Sequence, residues 1–173
     1  MRWKRVCRPA LLIAALFLAA GAGRAADPAR TLLDQPAPQF VRSDLDGLRV
    51  DLSAYRGKVV LLNFWAGWCA PCLTEMPRFN AWQREFGTQK LQVLGVSMDE
   101  VEDADAVRTL RRKLGVDYPI LMGDAALGKL YGGILGVPVS FLIDRQGVIR
   151  ARFQGETGLA AMEKRIRTLL AQP

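Results

Sequence analysis

The chain has 173 residues, with 24 Lys and Arg, 17 Asp and Glu, three cysteines and no histidine. That length accommodates one domain with a substantial core once a targeting segment is set aside, and no second catalytic domain. The missing histidine excludes hydrolases that use a histidine base, and so few cysteines exclude a four-ligand zinc site of thiolates and imidazoles within one chain.

Residues 1–26 read as an export signal: a basic stretch from Arg2 to Arg8, an apolar run from Ala10 to Ala22, then small residues from Gly21 to Ala26. The apolar run is about 13 residues, short of the ~20 that a helix needs to cross a bilayer. A signal peptide cut after Ala25 or Ala26 is therefore expected, with an uncleaved anchor as the alternative. This leader holds five of the basic residues and none of the acidic ones. The remainder, residues 27–173, is expected to form one domain with 19 basic against 17 acidic residues, a net of +2. No nucleic-acid or anionic-membrane surface is expected from such a balance. Cys7 falls in the leader, so Cys69 and Cys72 must act together or not at all.

Beyond a proline-punctuated entry, Gln39 to Val41 and Leu48 to Leu52 flank the turn Asp46-Gly47 as a small hairpin expected to cap a sheet edge. Lys58 to Trp65 is a nearly unbroken apolar run, suited to a strand covered on both faces. Leu73, Met76, Phe79 and Phe86 then recur near helical spacing up to Gly87, which can end the helix. Leu91 to Met98 reads as a second strand. Asp103 to Leu114 reads as a helix with acids first and bases last, followed by Gly115. Tyr118 to Met122 suits a short strand, Ala125 to Tyr131 a short helix, and Val139 to Ile143 a strand closed by the turn at Gly147. In Val148 to Phe153 the alternation places Ile149, Ala151 and Phe153 on one face and Arg150 and Arg152 on the other. Gly158 to Leu170 closes the chain as a helix. The order of elements is α/β with a mixed sheet.

The dithiol therefore opens a helix that follows a buried strand. At that position the Cys69 thiolate lies near unpaired backbone N–H groups and the positive end of the helix dipole, which lowers its pKa. Cys72 is less than one helical turn away, so its sulfur can reach the first. A disulfide kept only for stability is the bland alternative, but so short a loop gains little closure entropy. Metal sites share the Cys-x-x-Cys spacing, and the absence of histidine weighs against one here. The residue after Cys72 is Leu73, which excludes covalent haem attachment. In disulfide exchange Cys69 would attack a substrate disulfide and Cys72 would then release the reduced product, a chemistry that needs no cofactor.

Asn63-Phe64-Trp65-Ala66-Gly67-Trp68-Cys69-Ala70-Pro71-Cys72 resembles the thioredoxin superfamily. Glu75-Met76-Pro77, the helix and strand between Asp103 and Met122, and Gly136-Val137-Pro138 before Phe141-Leu142-Ile143-Asp144 are similar to its exported TlpA/ResA branch. The resemblance covers about residues 35 to 170. It implies a thioredoxin-like fold, with a mixed central sheet flanked by helices, an N-terminal β-hairpin and an inserted helix-strand unit. It also implies a cis bond before Pro138 beside the dithiol, with Val137 offering backbone groups to the substrate. Cytosolic thioredoxins carry a buried aspartate where this chain has Asn63, which cannot ionise. Glu75 is then the nearest carboxylate able to move a proton for Cys72, or simply an acid suited to the first turn of a helix. Trp68 is expected to shield the thiol and contact substrate, Trp65 to be core, and Pro77 to kink the helix.

The resemblance implies an exported disulfide reductase acting on apocytochrome c or other oxidised proteins, fed by a membrane thiol electron donor of the DsbD or CcdA type. The competing readings are a CcmG-type cytochrome c maturation protein, an exported disulfide-forming oxidant, a peroxidase and a non-enzymatic client-binding module.

Overall fold

The computed structural model describes residues 32–155 and 158–172; the leader read from residues 1–26 lies outside them. Its centre is β3, Val59–Trp65, whose seven side chains are all buried. An unbroken apolar strand can be stabilised only with both faces covered, each large aliphatic side chain contributing about 1.5–3 kcal/mol on burial. β4 (Leu91–Ser97) and β5 (Ile120–Met122) extend the sheet in parallel on one side, and β6 (Val139–Ile143) and β7 (Ile149–Gln154) extend it antiparallel on the other. The strand order is β5-β4-β3-β6-β7.

Parallel neighbours need crossovers, and helices supply them. α1 (Ala70–Phe86) joins β3 to β4, and α2 (Ala104–Lys113) joins β4 to β5. Both pack on one face together with α4 (Leu159–Leu170), where Met76, Phe79, Trp82, Val107, Met162 and Ile166 meet Leu61 and Trp65. The opposite face buries Leu62 and Phe64 beneath α3 (Ala125–Leu130), Tyr131 and the hairpin strand β2. The inserted α2–β5 unit and the mixed sheet flanked by helices are as the resemblance implied.

The hairpin pairs β1 (Val41–Ser43) with β2 (Arg49–Asp51), slightly shifted from the strands expected at 39–41 and 48–52. It caps the β5 edge through the Asp44–Leu121 bridge and the Leu45 N–H to Ile120 carbonyl bond at 2.8 Å. α1 ends at Phe86 with Gly87 as its C-cap, as expected; the chain continues through a 3-10 turn, and Lys90 takes the left-handed position at φ 73°. A further expectation needs correction. In β7 the alternation breaks at a register shift opposite Leu142/Ile143. An extra residue in one strand swaps the faces that follow. Ile149 accordingly packs with Phe141 and Ile143, whereas Ala151 and Phe153 pack on the α1 face.

Candidate active site

The polarity of β3 delivers the chain to the C-terminal end of the sheet, where the dithiol sits. Trp65 is fully buried and its carbonyl accepts the Met98 N–H at 2.8 Å, which ties the ends of β3 and β4 together. The chain then turns, with Cys69 N–H donating to the Ala66 carbonyl at 3.1 Å, and Cys69 becomes the N-cap of α1. Its carbonyl accepts the Leu73 N–H at 3.2 Å, the first bond of the helix. Its sulfur accepts the Cys72 N–H at 3.3 Å. Pro71, in the first turn, has no N–H to offer, and proline is tolerated there because those amides lack helical partners anyway. The Cys72 amide is thus aimed at Cys69 Sγ, where an N–H donor favours negative charge.

Cys69 and Cys72 form a disulfide with an S–S distance of 2.06 Å and Cα atoms 5.3 Å apart. Both are buried, Cys72 almost completely at 1 % exposure and Cys69 at 5 %. Trp68 is 72 % exposed, and Trp65 belongs to the core as expected. Trp68, the residue before Cys69, presents most of its ring to solvent.

β6 runs antiparallel to β3 with Phe64 opposite Val139. Continuing that register sets Val137-Pro138 alongside the residues that leave β3 for the dithiol. The Val137–Pro138 bond is cis, Pro138 is buried, and its carbonyl accepts the Gly155 N–H at 2.9 Å. Val137 is half-buried and packs against both cores. In the loop leading to it Leu135 is fully exposed.

Glu75 lies three residues beyond Cys72 on α1, at the spacing that places two side chains on one helix face, and it is buried at 6 % exposure. It is the sixth residue of α1, beyond the first turn in which the sequence reading set it. Asn63 is also buried; its Nδ2 donates to Ser140 Oγ at 3.0 Å across the β3–β6 pair, and its Oδ1 has no partner among the described residues. Pro77 sits within an uninterrupted α1, where its ring nitrogen forgoes the bond to the Leu73 carbonyl.

The fold brings Trp68, Cys69, Cys72, Val137 and Pro138 to one end of the sheet and sets Glu75 one turn deeper. One feature of this site escapes the sequence reading. Asp99, just beyond β4, accepts the Gly67 N–H on both carboxylate oxygens, at 2.8 and 3.1 Å. Its only sequence signal is a Ser-x-Asp at the end of a buried strand. Among the described residues no group of three or more His, Cys, Asp and Glu is placed to hold a metal ion.

A dithiol capped by a helix and sealed on one side is built for exchange with another disulfide, and the sheet around it is that of the thioredoxin fold. The molecule is a thiol-disulfide oxidoreductase of that class. The chain belongs to the AhpC/TSA family, whose model matches residues 33–152. It is 30% identical over 138 residues to the thiol-disulfide oxidoreductase ResA of Bacillus thuringiensis subsp. konkukian, covering 79% of this chain and 78% of the relative. Among solved structures it resembles a thiol:disulfide interchange protein of the thioredoxin family from Chlorobium tepidum TLS, with a TM-score of 0.72, 28% identity and coverage of 79% and 96%. It also resembles a secreted thiol-disulfide isomerase from Corynebacterium glutamicum, with a TM-score of 0.71, 25% identity and coverage of 80% and 86%.

Proposed function

We propose that the protein is a disulfide reductase working outside the cytoplasm on oxidised proteins, apocytochrome c among them. The observation that carries the proposal is the asymmetry of the pair: the Cys69 sulfur caps a helix and receives an N–H, while Cys72 is sealed behind it. In the reduced protein the Cys69 thiolate attacks a client disulfide. One client sulfur leaves as a thiolate and takes up a proton, and a mixed disulfide forms. Cys72 gives up its proton and attacks Cys69 Sγ, so that the client leaves as a dithiol and the Cys69–Cys72 disulfide is restored. Two electrons pass to the client, and a membrane thiol donor of the DsbD or CcdA type resupplies them.

Glu75 takes the Cys72 proton in this scheme, since Asn63 cannot. Trp68 and Val137-Pro138 receive the client chain, with Trp68 presenting an apolar ring beside the attacked bond. Export is supported by the basic-apolar-small leader of residues 1–26, and the word secreted in the name of the Corynebacterium relative agrees with it.

Two cysteine variants test the scheme. With an oxidised peptide containing Cys-x-x-Cys-His, Cys72→Ser should accumulate a mixed disulfide through Cys69, visible by mass spectrometry and released by dithiothreitol. Cys69→Ala should form no adduct and show no turnover. Client reduction by Cys69→Ala, or trapping through Cys72, would refute the assignment.

A further inference from the structure

Asp99 is a half-buried carboxylate whose hydrogen-bond partners among the described residues are all neutral. Besides the Gly67 N–H it accepts the Ser97 hydroxyl at 2.6 Å, and its own N–H donates to Ser97 Oγ at 3.2 Å. Ser97 is fully buried, so the carboxylate is clamped from below by the last residue of β4. Gly67 is two residues before Cys69, and two residues span at most about 7 Å of chain, so an anion stands within about 10 Å of the Cys69 backbone. No cation among the described residues hydrogen-bonds to it, and partial burial limits screening by salt. The exchange steps above make no use of this charge.

We propose that Asp99 is a positioning residue that sets the redox poise of the dithiol. Its hydrogen bonds fix the turn from Trp65 to Cys69, and its charge opposes the thiolate that the helix terminus and the Cys72 N–H favour. Raising the free energy of the thiolate destabilises the reduced pair relative to the disulfide. The couple therefore gives up its electrons more readily, the converse of an oxidant whose reduced form is stabilised. The inference rests on reading Cys69 and Cys72 as a reversible couple.

Asp99→Asn separates charge from geometry, because the amide oxygen can still accept the Gly67 N–H. The full chain and this variant are equilibrated in graded thiol-disulfide buffers, with free cysteines counted by mass-tagged alkylation. Ionisation of the Cys69 thiol is followed in parallel by the pH dependence of its alkylation rate. Asp99→Asn should shift the equilibrium about threefold to tenfold toward the dithiol, a tenfold change being about 30 mV, and the thiolate should form at lower pH. Asp99→Ala, which loses the acceptor as well, should shift the couple in the same direction and also lower Tm. A wild-type potential and wild-type thiol ionisation in both variants, with only Tm altered, would reduce Asp99 to a structural clamp and overturn the proposal. If the wild-type pair forms no reversible disulfide, the reading of the couple falls, and the role of Asp99 with it.

Discussion

Cys72 has almost no exposed surface, and in the proposed scheme the client meets the pair through Cys69. This burial makes the proton on Cys72 the difficult one, since ionising a buried thiol carries a desolvation cost. Glu75, buried on the same helix face, is the carboxylate assigned to collect it. Glu75→Gln keeps the size of the side chain but cannot take the proton. It should slow resolution of the mixed disulfide at neutral pH by about 10²-fold, the low end of general-base effects. The deficit should shrink as pH rises and hydroxide takes over, whereas an unchanged pH profile in rapid-quench assays would leave Glu75 a merely structural acid. At this scale the cysteines and Trp65 are readable because each has a local reason to be where it is, whereas the cis bond before Pro138 is legible only through the family resemblance. Asp99 is not readable, because its role depends on β4 lying beside β3, a pairing between residues 32 positions apart. The Asn63 Oδ1, without a partner among the described residues, is equally invisible without the β3–β6 register.

Elements follow the same division. The buried run of β3, the periodic helices and the Gly115 stop, which is left-handed at φ 62°, are local and readable. The β7 bulge is set by a partner distant in sequence. The clamp between α1 and α4 is another such contact. Glu163 of α4 accepts Arg78 at 2.6 Å and Trp82 Nε1 at 3.1 Å from α1, and on its other oxygen Arg167 at 2.8 Å from its own helix. Hydrogen bonds from Arg78 and then Arg167 hold the Glu163 carboxyl at about 2, well below the usual range. A depressed folded pKa stabilises the protein above the unfolded value of about 4.3, and that stability drains away as pH falls from there through about 2. The arginine partners are half exposed, so about 1 kcal/mol survives solvent screening. Glu163→Gln should therefore lower Tm by about 3 °C at pH 7 and hardly at all near pH 2. An equal deficit at both pH values would show that the carboxylate charge is not what joins the helices.

For the whole molecule, five of the seven net positive charges lie in residues 1–26, and residues 27–173 are close to neutral. Such a balance offers no strongly charged surface for steering a partner. The fold class was readable from the order of elements, and the chemistry from the dithiol between strand and helix. The direction of electron flow was not, because it depends on a small balance between the helix terminus, the Cys72 amide and the Asp99 charge around one sulfur. The reduction potential of the Cys69–Cys72 pair reads that balance directly. Residues 27–173 equilibrated in graded thiol-disulfide buffers should give a value near or below about −270 mV, in the range of a reductant supplied by an outside donor; a value near about −120 mV, or no Cys69–Cys72 disulfide at any poise, would contradict it.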